Sequence, residues 1–239
     1  MSSLPFSIAR RFRGPPRSGN GGYVAGSLGR HLVGTVAVRI KAPPPLETGL
    51  SIELGDEHAR LLHQSTVIAE ARAAQITLQP PPAPSFASAE EAARSFGGFE
   101  RHPLPECFVC GPRREAGDAL RIFPGERGEL LLAPWIPHAS LADASGKVAP
   151  EFLWAALDCP GGFAVIKPAG KLIVLGELCA RIDGSVSPGE HCVVAGWEIG
   201  REGRKRYAGT AVYSADGEPV AVARATWIEL GDDAAGKIS

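Results

Sequence analysis

The chain has 239 residues, of which 44% are hydrophobic and 21% charged, and its formal net charge is -1. That length allows one large domain or two small ones, and the near-neutral charge leaves no electrostatic footprint for nucleic acid or an anionic membrane. No apolar run reaches the ~18 residues of a membrane helix, and five cysteines, an odd number scattered along the chain, do not make a disulfide framework.

The N-terminal MSSLPFSIARRFRG puts its few apolar residues ahead of its arginines, the wrong order for a signal peptide. A soluble, cytoplasmic protein is expected. The first helix signal follows at residues 21–33. There the loop SGN runs into Gly21-Gly22, and Tyr23, Leu28 and Leu32 repeat at helical spacing. The first N–H groups of a helix have no intrahelical partner and sit at the positive end of its dipole. Without side chains, Gly21 and Gly22 let a carbonyl oxygen approach those amides. A tight turn before the helix is the bland alternative.

Strands are expected at 34–43, 49–54 and 60–78, where β-branched and alternating residues dominate. Residues 78–112 are rich in Pro, Ala and Ser and read as a linker. It carries a short helix at 88–96, with Ser88 and Glu91 at capping-box spacing. Its end, CFVCG, places Cys107 and Cys110 at zinc-knuckle spacing. No second pair follows, His102 is the nearest further donor, and a structural turn with no metal is the favoured reading. A strand at 129–135 precedes a helix at 150–159, PEFLWAALDC. Pro150 suits its first turn and Pro160-Gly161-Gly162 ends or distorts it. Four more strands are expected at 172–184, 191–200, 204–217 and 219–230.

The two halves repeat one plan: an opening strand, one helix, then long strands. VAVRIKAPPPLETGLSIEL and LCARIDGSVSPGEHCVVAGWEI share Arg-Ile, a Pro-containing turn, a Gly and an alternating strand. The helices superpose with Gly22 against Glu151.

This layout, with NGGYVAGSL at 20–28, CFVCG and GDALRIFPG within 107–125, and WAALDCPGG at 154–162, resembles the thioesterase-superfamily hotdog proteins of bacterial type. The resemblance implies an α+β tandem or double hotdog. Two long helices would each be wrapped by an antiparallel sheet, with the sheets joined as a pseudo-dimer. The N-terminal unit would span 1–79, the linker 80–125, the C-terminal unit 126–232 and a tail 233–239. It also implies an acyl thioester as the small-molecule partner, with coenzyme A as part of the substrate and no separate cofactor. A homodimer of double hotdogs is a further implication.

In similar hotdog thioesterases, Asn or His and two glycines begin the helix, a carboxylate follows seven residues after the second glycine, and one site is shared between partners. Here Gly29 stands at that place in the first half, and Asp158 at the equivalent place in the second. The resemblance therefore implies one complete site. Asn20, Gly21 and Gly22 would come from one half and the base Asp158 from the other, leaving Glu151 and Gly29 as a degenerate counterpart. Gly22 would polarise the carbonyl, and losing such a donor typically costs ~3 kcal/mol of barrier. A gap of about 5 to 8 Å between the Asp158 carboxylate and the Gly22 amide would hold the thioester and one water. Tyr23 and Trp154 would line the acyl pocket, with His138 near it. Cys159 reads as a small buried hydrophobe. Arg13, Arg17, Arg201, Arg204 and Lys205 are candidates for the phosphates of coenzyme A. Two departures bear on subfamily: VAVARATWIEL lacks the Gln of the Asp–Thr–Gln acyl-CoA thioesterases, and GNGGY lacks the Asp–His pair of hotdog hydratases. A hotdog protein that binds an acyl chain without cleaving it is the alternative function.

Overall fold

The computed structural model describes residues 2–166 and 172–231, so the expected tail at 233–239 lies outside the described residues. In chain order the elements are β1 (Ser2–Phe6), α1 (Gly21–Gly29), β2 (Val36–Ile40), β3 (Leu50–Leu54), β4 (His58–His63), β5 (Thr66–Ala73), α2 (Phe86–Ala93), β6 (Gly125–Arg127), β7 (Leu130–Trp135), α3 (Pro150–Ala156), α4 (Cys159–Val165), β8 (Ile173–Ile182), β9 (Cys192–Glu202), β10 (Lys205–Tyr213) and β11 (Pro219–Glu229).

The strands form one antiparallel sheet in the order β1-β3-β4-β5-β2-β8-β11-β10-β9-β7-β6. The first half of the chain supplies one side and the second half the other. They meet where β2 pairs with β8, Val36 opposite Ala180 and Arg39 opposite Glu177. Burial alternates in β3 and β4, where Leu50, Ile52, Ala59 and Leu61 turn inward, whereas the central strands are buried in unbroken runs such as Val36–Val38 and Cys192–Gly196.

Helices α1 and α3 lie on this core and cross each other. Gly22 meets Ala155 and Asp158, while Gly26 meets Glu151 and Trp154, so the two run antiparallel. Glycine is required at the crossing. A Cβ on Gly26 would stand 2.6 Å from Glu151 Cα and from Trp154 Cβ. Helix α1 is bare on that face, through Gly22, Gly26 and Gly29, and this lets the backbone of α3 approach, as small residues permit.

Several expectations change. The segment 60–78 is two strands, because Gln64 takes a left-handed φ of 55° and turns the chain back. The linker helix starts earlier, with Ser85 and not Ser88 as its cap, accepting from the Ser88 N–H. The helix expected at 150–159 stops at Ala156, and Cys159 begins α4 with Pro160 in its first turn. The helices are thus short, nine residues in α1 and seven each in α3 and α4.

Candidate functional site

The break between α3 and α4 leaves Asp158 outside both helices. Helices of seven residues are marginal by themselves, and the break is held from outside, where the Thr210 hydroxyl donates to the Leu157 carbonyl at 2.9 Å. Asp158 occupies the N-cap position of α4 but makes no cap bond there. Its carboxylate reaches across to the start of α1. Asp158 Oδ2 accepts from Asn20 Nδ2 at 2.8 Å and from the Gly22 N–H at 2.9 Å. Asn20 uses both ends of its amide, since its Oδ1 caps α1 by accepting from the Tyr23 N–H at 2.9 Å. The loop carrying Asn20 is fixed by its own N–H, which donates to the Phe12 carbonyl.

Asp158 is 2% exposed. Burial pushes its carboxyl up from 3.8 to about 7; the Gly22 amide acts against that, Cys107 adds to it, and Asn20 also holds it down. Its second oxygen, Oδ1, is buried and has no hydrogen-bond partner among the described residues.

Asp158 forms part of the wall of a cavity of about 340 Å³. The walls are mostly apolar: Ile40, Leu104, Phe163, Leu175 and Trp227 are among them. Asn20 and Gly21 line it as well, and the Gly21 N–H, first in its helix, donates to nothing among the described residues. The Trp227 indole N–H is also buried without a partner. Arg17 and Lys41 line the same cavity, the Lys41 ammonium paired with Glu70 at 2.6 Å.

The structure brings together Asn20, Gly21, Gly22 and Asp158 from the two halves of the chain. It differs from the expected gap: the carboxylate is bonded directly to the Gly22 amide, so no thioester and water fit between them. A Cβ on Gly22 would lie 2.5 Å from Asp158 Cβ. Gly21, one residue earlier, is the glycine that faces the cavity.

Three residues expected at the substrate stand elsewhere. Tyr23 stacks on Phe12, with centroids 4.1 Å apart, in an aromatic group with Phe108 and Phe152. Trp154 lays its indole over Gly29, on the face of α1 that the degenerate counterpart would occupy. Beside it Glu151 pairs with Arg30 at 2.8 Å. His138 is exposed, and its Nδ1 accepts from the Ser140 N–H to cap a short turn at Ala139–Leu141. Arg13, a candidate for the phosphates, pairs with Glu106.

The segment Cys107–Cys110 forms a tight turn against this site. Phe108 N–H donates to the Arg13 carbonyl, and Leu120 and Ile122 donate back to Phe108 and Val109. The buried Arg114 guanidinium braces the segment by donating to the Glu106 and Arg11 carbonyls. Sequence reasoning missed the partner of these cysteines. Cys159, directly after Asp158, puts its sulfur 3.7 Å from that of Cys107. Hydrogen bonds from Cys110 and Cys159 hold the Cys107 thiol well below the ordinary range. Cys110 is pushed well up, first by burial, and Cys159 well up, first by its bond to Cys107.

No family model and no curated protein matches the chain. Solved structures do. A tesB protein from Mycobacterium avium subs. paratuberculosis covers 96% of this chain and 93% of its own at 12% identity, with a TM-score of 0.61. The acyl-CoA thioesterase II TesB2 from Mycobacterium marinum covers 95% and 93% at 12% identity, with a TM-score of 0.56. A conserved protein of unknown function with hot dog fold from Alicyclobacillus acidocaldarius covers 96% and 93% at 12% identity, with a TM-score of 0.58. The chain has the hotdog fold over nearly its whole length. No helix among the described residues is long and apolar enough to cross a membrane.

Proposed function

We propose that the chain hydrolyses an acyl thioester of the acyl-coenzyme A type in the cavity beside Asp158. The observation that carries this reading is the buried, unpartnered Oδ1 of Asp158 in the wall of an apolar cavity. A carboxylate held near neutrality is a competent general base at physiological pH. Water gives a proton to Asp158 Oδ1 and its oxygen bonds to the thioester carbonyl carbon. The resulting oxyanion is met by the Gly21 N–H at the positive end of α1, a donor placed where charge develops. The carbon–sulfur bond then breaks, and the proton passes from Asp158 to the departing thiolate. The acyl chain lies along Ile40, Leu175, Phe163 and Trp227, and Arg17 and Lys41 meet the phosphates of the coenzyme. The fold likeness to TesB-type structures agrees with this chemistry.

On this reading the chain is a double hotdog, with units at 1–79 and 126–232 around a connecting segment at 80–125. The seam supports it: the alignment that superposes Arg39 on Arg181 makes Ala37 equivalent to Cys179, and those two residues face each other where β2 meets β8. Equivalent residues meet in this way only on a pseudo-twofold axis. A second reading, an acyl-chain binder without hydrolysis, is favoured by one observation, the engagement of the Gly22 N–H by Asp158. Release of free thiol from a panel of acyl-coenzyme A substrates separates the two. Turnover abolished in Asp158→Asn supports hydrolysis, and tight binding with no thiol released supports the binder.

A further inference from the structure

Cys107, Cys110 and Cys159 converge from distant parts of the chain until their Sγ atoms all lie within 4.8 Å of one another. All three are buried free thiols, and all three line the cavity. Tetrahedral zinc holds thiolates at about 2.3 Å, which sets neighbouring sulfurs about 3.8 Å apart. The Cys107–Cys159 separation of 3.7 Å has that value. It is far longer than a disulfide bond of about 2.05 Å.

The geometry points to a binding site for one thiophilic divalent metal ion, zinc suiting it best, held by the sulfurs of Cys107, Cys110 and Cys159 with its fourth position toward the cavity. Three soft thiolates select such an ion over magnesium or calcium, which prefer oxygen. His102 is not the fourth ligand. Its Nδ1 accepts from the Leu104 N–H at 2.9 Å, which leaves the proton of the neutral ring on Nε2. Asp158, the residue next to Cys159, lines the same cavity but does not belong to the converging group of donors. Binding exchanges three S–H protons, released to solvent, for three metal–sulfur bonds, with no change of oxidation state. The ion would tie the Cys107–Cys110 turn to the start of α4 and so join two walls of the cavity. This inference stands whether or not the chain cleaves thioesters.

The test uses the full chain purified under reducing conditions. Metal content by elemental analysis is expected at about one zinc per chain. After stripping with a chelator, cobalt(II) should bind with the same stoichiometry. It should show the intense sulfur-to-cobalt charge-transfer absorption and visible bands of a tetrahedral thiolate site. Cys110→Ser should weaken the charge-transfer band and lose most of the retained metal. Cys192→Ser, outside the cluster, should keep both. A stripped, reduced and folded parent chain that binds neither zinc nor cobalt overturns the site without recourse to any variant. So does retention of full metal content in both Cys110→Ser and Cys159→Ser, with folding checked by circular dichroism.

Discussion

The carboxylate of Asp158 stands 2.9 Å from the Gly22 amide nitrogen, joining the head of α4 to the head of α1. One oxygen of the acid is therefore committed to holding two segments in place, and only the other is available to a ligand. On the proposed mechanism the residue positions and reacts through different atoms, which makes its variants informative.

Asp158→Asn should lower thioester hydrolysis by about 10²- to 10⁴-fold, the usual worth of a general base. The Asn oxygen can still accept from Gly22 and Asn20, so the melting temperature should move little. Glu151→Gln should leave the rate unchanged, because Glu151 pairs with Arg30 away from the cavity. Thiol release assayed beside a thermal melt reads both; full activity in Asp158→Asn would remove it as the base.

In the metal-stripped chain, Asp158 titrates near 7 when folded against 3.8 for an ordinary aspartate. Between those values the folded chain keeps a proton that the unfolded chain has released. Its contribution to stability is therefore complete below 3.8 and is lost as the pH rises through about 7. Urea melts across this range should show that decline, flattened in Asp158→Asn. Hydrolysis should run the opposite way and rise toward a plateau above about pH 7, as the base form accumulates.

Asn20→Ala should destabilise the fold by about 0.5–2 kcal/mol through loss of the α1 cap. It should also shift the apparent pKa of the rate upward, because a donor to the ionised carboxylate is gone. Asn20→Ser should recover much of the stability by capping, yet not the pKa, since the shorter side chain does not span to Asp158. A common recovery of both would show that cap and donor are not separable here.

Gly22→Ala and Gly26→Ala should each cost about 1–3 kcal/mol, as overpacked contacts do. The added carbon meets Asp158 Cβ in the first case and Glu151 Cα in the second. Only Gly22→Ala should also alter the pH profile, because only it pushes on the acid. Chemical melts and rate–pH curves of the two variants make the comparison.

Most strands were legible because β-branched and other apolar residues dominate them, as in VAVRI and PVAVARATWIE, whose central residues are buried in unbroken runs. The edge strand β1 was not, since SSLPF is short and holds a proline that only an edge tolerates. That Asn20, Gly21 and Gly22 would meet Asp158 was readable from the resemblance to hotdog thioesterases, laid over the repeat of the two halves. The stop signal Pro160-Gly161-Gly162 was legible, but the end at Ala156 and the restart at Cys159 were not, because the Thr210 hydroxyl that holds the Leu157 carbonyl lies on a distant strand. Tyr23 and Trp154 were placed at the cavity because they sit on the right helices. Which face of a helix meets the cavity is set by the glycine crossing, and that is a tertiary property. The third thiol was invisible for the same reason: Cys159 lies 52 residues from Cys107.

The hydrogen-bonded seam of β2 and β8 lies within one covalent chain. Two such units made as separate polypeptides would come apart on dilution, and their melting temperature would track protein concentration. Here the encounter is intramolecular, so this joint survives at any dilution the cell imposes. On the double-hotdog reading, the same tether removes the demand that both faces of the pair stay identical, so that Trp154 can lie over Gly29 on one side while Asp158 lines a cavity on the other.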